Sequence, residues 1–156
     1  MRWRYVRFGD TEQYVVMKQK VNELFKRLRK EGIVARQNFM CCGGCAAAAM
    51  PEKREYVAYH RQDNERWLES GELLLLYGSW MDWNAPDREM QEALAHVRVL
   101  RVAEAIQRHA EALGLVHDWQ GSTEIRISLR LMGTGTALVK YREMRASHLL
   151  PPIRNV

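Results

Sequence analysis

The chain has 156 residues, 47% of them hydrophobic and 28% charged, with three cysteines and a formal net charge of +5. That size and balance describe one ordinary domain able to bury its own core without disulfides or metal, and they exclude a disordered chain. No apolar run reaches the roughly 20 residues that a membrane span needs. The start lacks a signal-peptide core, and cysteines packed into Cys41-Cys42-Gly43-Gly44-Cys45 make no secreted disulfide framework, so a cytoplasmic protein with no membrane partner is expected.

Arg2 to Phe8 alternates arginine with aromatic and aliphatic residues and predicts a strand. Gly9-Asp10-Thr11 ends it and offers a cap to a helix whose apolar stripe is Tyr14, Met17, Val21, Leu24, Phe25 and Leu28. Gly32 stops that helix after Lys26, Arg27, Arg29 and Lys30, cations that complement the helix dipole. Ile33 to Phe39 is a second strand. The cysteine run comes next, with an alanine-rich helix that Pro51 holds to one or two turns.

Glu55 to His60 predicts a third strand, and Gln62 to Ser70 a short helix ended by Gly71. Glu72 to Tyr77 is the most apolar strand, expected at the centre of the sheet. After a loop with Trp80, Asp82, Trp83 and Asn84, Pro86 opens the longest helix. Its stripe is Met90, Leu94, Val97, Leu100, Ala103, Ile106, Ala110 and Leu113, and Gly114 stops it. Leu115 to Trp119 and Thr123 to Leu131 are strands joined at Gln120-Gly121-Ser122. In the second, Ile125, Ile127, Leu129 and Leu131 are expected to face inward. Glu124, Arg126, Ser128 and Arg130 are expected to be wet, as on an antiparallel edge.

These elements predict an α/β fold, with α+β as its variant. The expected architecture is a mixed sheet of five to seven strands, a long helix packed across it and a C-terminal antiparallel hairpin. Residues 1–132 form the domain and 133–156 a basic appendage.

If the middle strands run parallel, their carboxyl ends share one edge, where ligands of such sheets bind. That edge would gather Cys41, Cys42 and Cys45, then His60, Gln62 and Asp63, then Tyr77 and Ser79. The cysteines admit four readings. Cys42-Gly43-Gly44-Cys45 before a helix has the spacing of a dithiol redox centre and resembles the thioredoxin active site, without a later proline suited to that fold. The three thiols could bind zinc with His60 as a fourth ligand, Cys42, Cys45 and His60 being the set singled out, although only one CxxC pair is present and adjacent Cys41 and Cys42 do not easily point at one metal. Cys45 could act as a nucleophile with His60 or His117 as base. The bland reading is small, half-buried thiols in a tight turn. Similarly, Asp63 and Glu65 have a plain role as helix caps, and Trp80 and Trp83 form either a binding platform or core.

Three stretches carry a family resemblance: Phe39-Met40-Cys41-Cys42-Gly43-Gly44-Cys45, Tyr59-His60-Arg61-Gln62-Asp63-Asn64-Glu65-Arg66 and Leu76-Tyr77-Gly78. With Trp119-Gln120-Gly121 and the Arg126 to Leu131 strand, they resemble an uncharacterised bacterial domain-of-unknown-function family. Its pattern is F-x-C-C-x-x-C, Y-H-x-Q-D and Y-G. The resemblance runs from about Leu28 to Leu131 and departs at Ala46, where the pattern has glycine. It leaves the N-terminal strand and helix and the tail outside. It implies that the three loops belong together and supplies no activity.

The expected function is that of a binding or regulatory module whose rim engages a protein or a small ligand. The alternative is a thiol- or zinc-dependent enzyme using the cysteine loop. A third reading is nucleic-acid binding through the basic first helix, the Arg126/Arg130 face and the tail. No cofactor is expected unless it is zinc.

Overall fold

The computed structural model describes residues 8–51 and 54–131. The strand expected over Arg2 to Phe8 lies outside the described residues except for Phe8, which is helical, and the appendage 133–156 lies outside them.

Helix α1 spans Phe8–Lys30 and is followed by β1 (Val34–Arg36) and α2 (Gly43–Ala48). Then come β2 (Tyr56–Ala58), α3 (Arg61–Ser70) and β3 (Glu72–Gly78). The long helix α4 (Arg88–Ala112) leads into β4 (Val116–Asp118) and β5 (Ile127–Arg130). The five strands form one mixed sheet in the order β1-β2-β3-β5-β4, so the apolar β3 is central, as expected. α1 packs on β1 and against α4, and α4 crosses β3 and β4, which places both long helices on one face. Between them and the sheet lies the core: Val21, Leu24, Phe25 and Leu28 of α1, Ile106 of α4, and Leu73, Leu75, Ile127 and Leu129 of the strands.

Several sequence expectations give way. α1 begins at Phe8 and runs through Gly9-Asp10-Thr11, so that triplet neither ends a strand nor caps the helix. α4 takes its cap from Asp87, whose carboxylate accepts from the Met90 N–H at 2.8 Å, so Pro86 lies outside the helix. The α4 stripe is buried only in its second half: Ala103, Ile106 and Ala110 are covered, whereas Met90 and Val97 are 46% and 63% exposed. Leu94 and Leu100 of the same stripe are only half-buried.

The C-terminal hairpin is antiparallel, as predicted, but β5 lies inside the sheet and β4 forms the edge. Residues 119–126 are a loop rather than strand. The Tyr77 hydroxyl donates to the Ile125 carbonyl at 2.8 Å, and the Trp119 indole donates to the Ser122 carbonyl at 3.0 Å. Side-chain donors thus take carbonyls that a longer ladder would use. Ile125 is consequently exposed, while Ser128, expected outside, is buried and donates to Glu72.

Candidate functional site

Strand direction decides which loops meet. β1 and β2 are parallel, in the register Val34↔Tyr56 and Arg36↔Ala58, so the loops that leave them emerge on the same edge. β3 runs antiparallel to β2, and Gly78 pairs with Tyr56 at the start of β2. Tyr77 and Ser79 therefore sit at the opposite edge. Two of the three expected loops converge and the third does not.

The converging pair is stitched by backbone bonds from the Phe39 N–H to the Tyr59 carbonyl (2.9 Å) and from the Arg61 N–H to the Met40 carbonyl (3.1 Å). At these anchors the chain bends sharply, with positive φ at Asn38 (48°), just before Phe39, and at Met40 (63°). A non-glycine residue in this left-handed region is uncommon and strained. The bend brings together adjacent cysteines that would diverge on an extended chain. The three sulfurs of Cys41, Cys42 and Cys45 all lie within 4.8 Å of one another. Cys41 Sγ is 3.9 Å from Cys42 Sγ and 3.6 Å from Cys45 Sγ. The difficulty expected in pointing adjacent Cys41 and Cys42 at one metal is thus met by the fold.

Cys42 is the N-cap of α2, with extended backbone (φ −152°, ψ 171°). Its side chain makes no cap hydrogen bond, but the nearby Cys45 backbone N–H, followed by the Cys45 and Cys41 thiols, lowers the Cys42 pKa. Cys45 shows the converse. Bonding and repulsion from Cys42 and Cys41 push its pKa up to about 11. The two shifts have opposite sign, so a proton leaves Cys42 more readily than Cys45. Cys41 and Cys45 are exposed, so the half-burial expected of thiols in a tight turn holds for Cys42 alone.

His60 lies beside this loop but is committed elsewhere. It caps α3: its Nδ1 accepts the Asp63 N–H at 3.3 Å, and its own N–H donates to Asp63 Oδ2 at 3.2 Å. This reciprocal capping box satisfies two otherwise orphaned backbone donors. With Nδ1 accepting, the ring proton belongs on Nε2, which lies 3.0 Å from Asp63 Oδ2. Burial lowers the His60 pKa, and Asp63 only partly offsets this. The imidazole packs against Gly43, where an added Cβ would stand 3.7 Å from Nε2. His60 therefore supports the cysteine loop from below and is not among the residues that form the thiol cluster. The expected set of Cys42, Cys45 and His60 is replaced by three cysteines.

Asp63 is the hinge of a second constellation. Its carboxylate takes both Arg126 guanidinium nitrogens, at 2.9 and 2.6 Å, and Arg126 also donates to the Leu74 carbonyl at 3.1 Å. Arg126 is therefore not part of a wet basic face, as the nucleic-acid reading required. Gln62 is exposed at the start of α3. His117 lies on edge strand β4, with Nε2 2.8 Å from Glu111, so it belongs to the far side of the sheet from β1. Trp67 is buried, Trp83 is 75% exposed, and Trp80 is half-buried with the Arg98 guanidinium 3.8 Å above its ring.

One cluster escaped the sequence reading. Lys18 is buried, and its ammonium donates to Gln37 Oε1 at 2.9 Å and to the Tyr59 hydroxyl. Tyr59 packs edge-on against Phe25 and Trp67. Burial holds the Lys18 pKa down to about 7. A signal was present: Lys18, Val21, Phe25 and Leu28 follow helical spacing, so a lysine stands in line with core residues.

Residues 13–132 match the family described as Domain of unknown function (DUF6891). The chain belongs to that family. The DUF6891 match reaches well into α1, so this helix is family structure and not peculiar to the chain. It also takes in both the thiol cluster and the Asp63–Arg126 pair. No curated protein and no solved structure matches the chain. The three cysteines could hold a metal ion.

Proposed function

We propose that this domain is a zinc-binding module in which Cys41, Cys42 and Cys45 hold the ion. The fourth coordination position takes an atom from a small ligand or protein partner. One observation carries the reading: the sulfur spacings of 3.9 and 3.6 Å. Zinc–thiolate bonds of about 2.3 Å in a tetrahedron put neighbouring sulfurs about 3.8 Å apart, so the spacings already suit the ion. The bound cation would draw protons from all three thiols, Cys45 included, because thiolates are the ligating form.

Three protein ligands leave one position open, and the exposure of Met40, Cys41 and Cys45 leaves that position accessible. Binding is favoured over catalysis because His60 and Asp63, beside the cysteine loop, are occupied by helix capping and by Arg126. No membrane partner is included in the proposal: no helix among the described residues is long and apolar enough to cross a membrane. A cytoplasmic location is part of the proposal, because reduced thiols persist in that compartment.

The test is elemental analysis of the full chain purified without chelator, followed by a competition titration. About one zinc per chain is expected, and replacing any one cysteine with serine should weaken binding by about 100-fold or more. A chain that takes up no zinc, or whose zinc survives all three substitutions, removes the proposal.

A further inference from the structure

We infer that the same three thiols form an oxidisable switch with Cys45 as its obligatory member, in which a hydroperoxide closes a disulfide between Cys45 and either Cys41 or Cys42 and ejects the ion. The ejection rests on the zinc reading, whereas the disulfide stands without it.

Three pairs can be drawn, and the backbone separates them. Every peptide bond among the described residues is trans, so Cys41 and Cys42 have Cα atoms about 3.8 Å apart. That is shorter than the roughly 4.4–6.8 Å a relaxed disulfide spans, so the adjacent pair closes only with strain. Both remaining pairs contain Cys45. Its sulfur is 3.6 Å from Cys41 Sγ, and a bond of about 2.05 Å requires each side to give less than about 1 Å. Cys42 directly precedes the helix and Cys45 is its third residue, and their sulfurs lie within 4.8 Å of each other.

The surroundings permit that movement. α2 has six residues, of which only Ala46 is buried, so it can shift without opening the core. Gly44 has nothing within 4 Å of an added Cβ. Cys41 and Cys45 are both exposed, so a small oxidant reaches them directly.

The chemistry balances as a two-electron oxidation. A thiolate of Cys41 or Cys42 attacks one peroxide oxygen, the O–O bond breaks, and a sulfenic acid forms as an alkoxide or hydroxide leaves and takes a proton. The Cys45 thiolate then attacks the sulfenyl sulfur, the S–S bond forms, and the S–O bond breaks with loss of hydroxide, which is protonated to water. The sulfurs supply two electrons and the peroxide accepts them. An ion that has lost two of three thiolates departs.

The experiment treats the zinc-loaded and metal-free full chain with one equivalent of hydrogen peroxide. Released zinc is read with a chromophoric chelator and the disulfide by peptide mass mapping. One disulfide containing Cys45 should appear per zinc released, and a dithiol reductant should reverse both. Cys41→Ser and Cys42→Ser should each retain a disulfide. Cys45→Ser should retain none and should stop at a sulfenic acid that a cyclic dione traps. A Cys41–Cys42 disulfide as the main product, a disulfide that survives Cys45→Ser, or no disulfide in either form overturns the inference. A disulfide in a chain that never takes up zinc upholds the switch and removes only the metal reading. Zinc uptake without any disulfide does the reverse.

Discussion

Asp63 does three jobs with one carboxylate: it closes the capping box of α3, faces the His60 ring and takes both nitrogens of Arg126. Asp63→Asn keeps the shape and much of the capping but leaves Arg126 without its counter-charge. Breaking a fully buried pair costs roughly 3–5 kcal/mol. Because Arg126 is 31% exposed, the expected loss is about 2 kcal/mol, seen as a lower urea midpoint with unchanged slope. Lys18 makes a prediction of opposite character. Its pKa is about 7 when folded and 10.5 when free, so the unfolded chain binds the extra proton between those values. Its contribution to stability is therefore least below pH 7 and grows as pH rises toward 10.5. Relative to Lys18→Met, the native chain should gain up to about 3 kcal/mol between pH 7 and 9.5, measured by denaturant unfolding at each pH. Parallel curves for the two proteins would mean that Lys18 stays charged where it is buried.

Among the elements, helix ends are most legible where glycine punctuates the chain. Gly71 is expected to stop α3, and it does so in the left-handed region at φ 75°, its N–H returning to the Trp67 carbonyl at 2.8 Å. Gly71→Ala should cost about 1 kcal/mol by thermal or urea unfolding, because a Cβ is strained at that φ. Asp87→Ala should cost a similar amount, about 1 kcal/mol, by removing the α4 cap. Wild-type stability in that variant would show that the first turn of α4 is held by something else. The strands stand where the alternation puts them but are shorter than it suggests. Alternation in Thr123 to Leu131 is genuine periodicity, yet only Ile127–Arg130 pairs, since Tyr77 and Trp119 hold the preceding carbonyls. No local pattern announces that a tyrosine 48 residues away will claim Ile125.

Across the whole molecule, a mixed sheet with a long helix over it was legible because hydrophobic period and glycine punctuation are local properties. Val21, Leu24, Phe25, Leu28, Ile106, Ile127 and Leu129 could be named as core from spacing alone, and they meet in one cluster. Strand direction is not local. β3 returns antiparallel to β2, which carries Tyr77 and Ser79 away from the rim that the cysteine loop and His60 share. Cysteine identity and order are written in the chain. The convergence of Cys41 with Cys42 needed the left-handed bend at Met40, held by bonds between Phe39 and Tyr59 and between Arg61 and Met40. The sequence by itself therefore determined much of the core, where helices stop and that sulfur chemistry is present. Only the tertiary structure decided which side chains share a site, because that depends on contacts between segments far apart in the chain, whose closure no short-range pattern encodes.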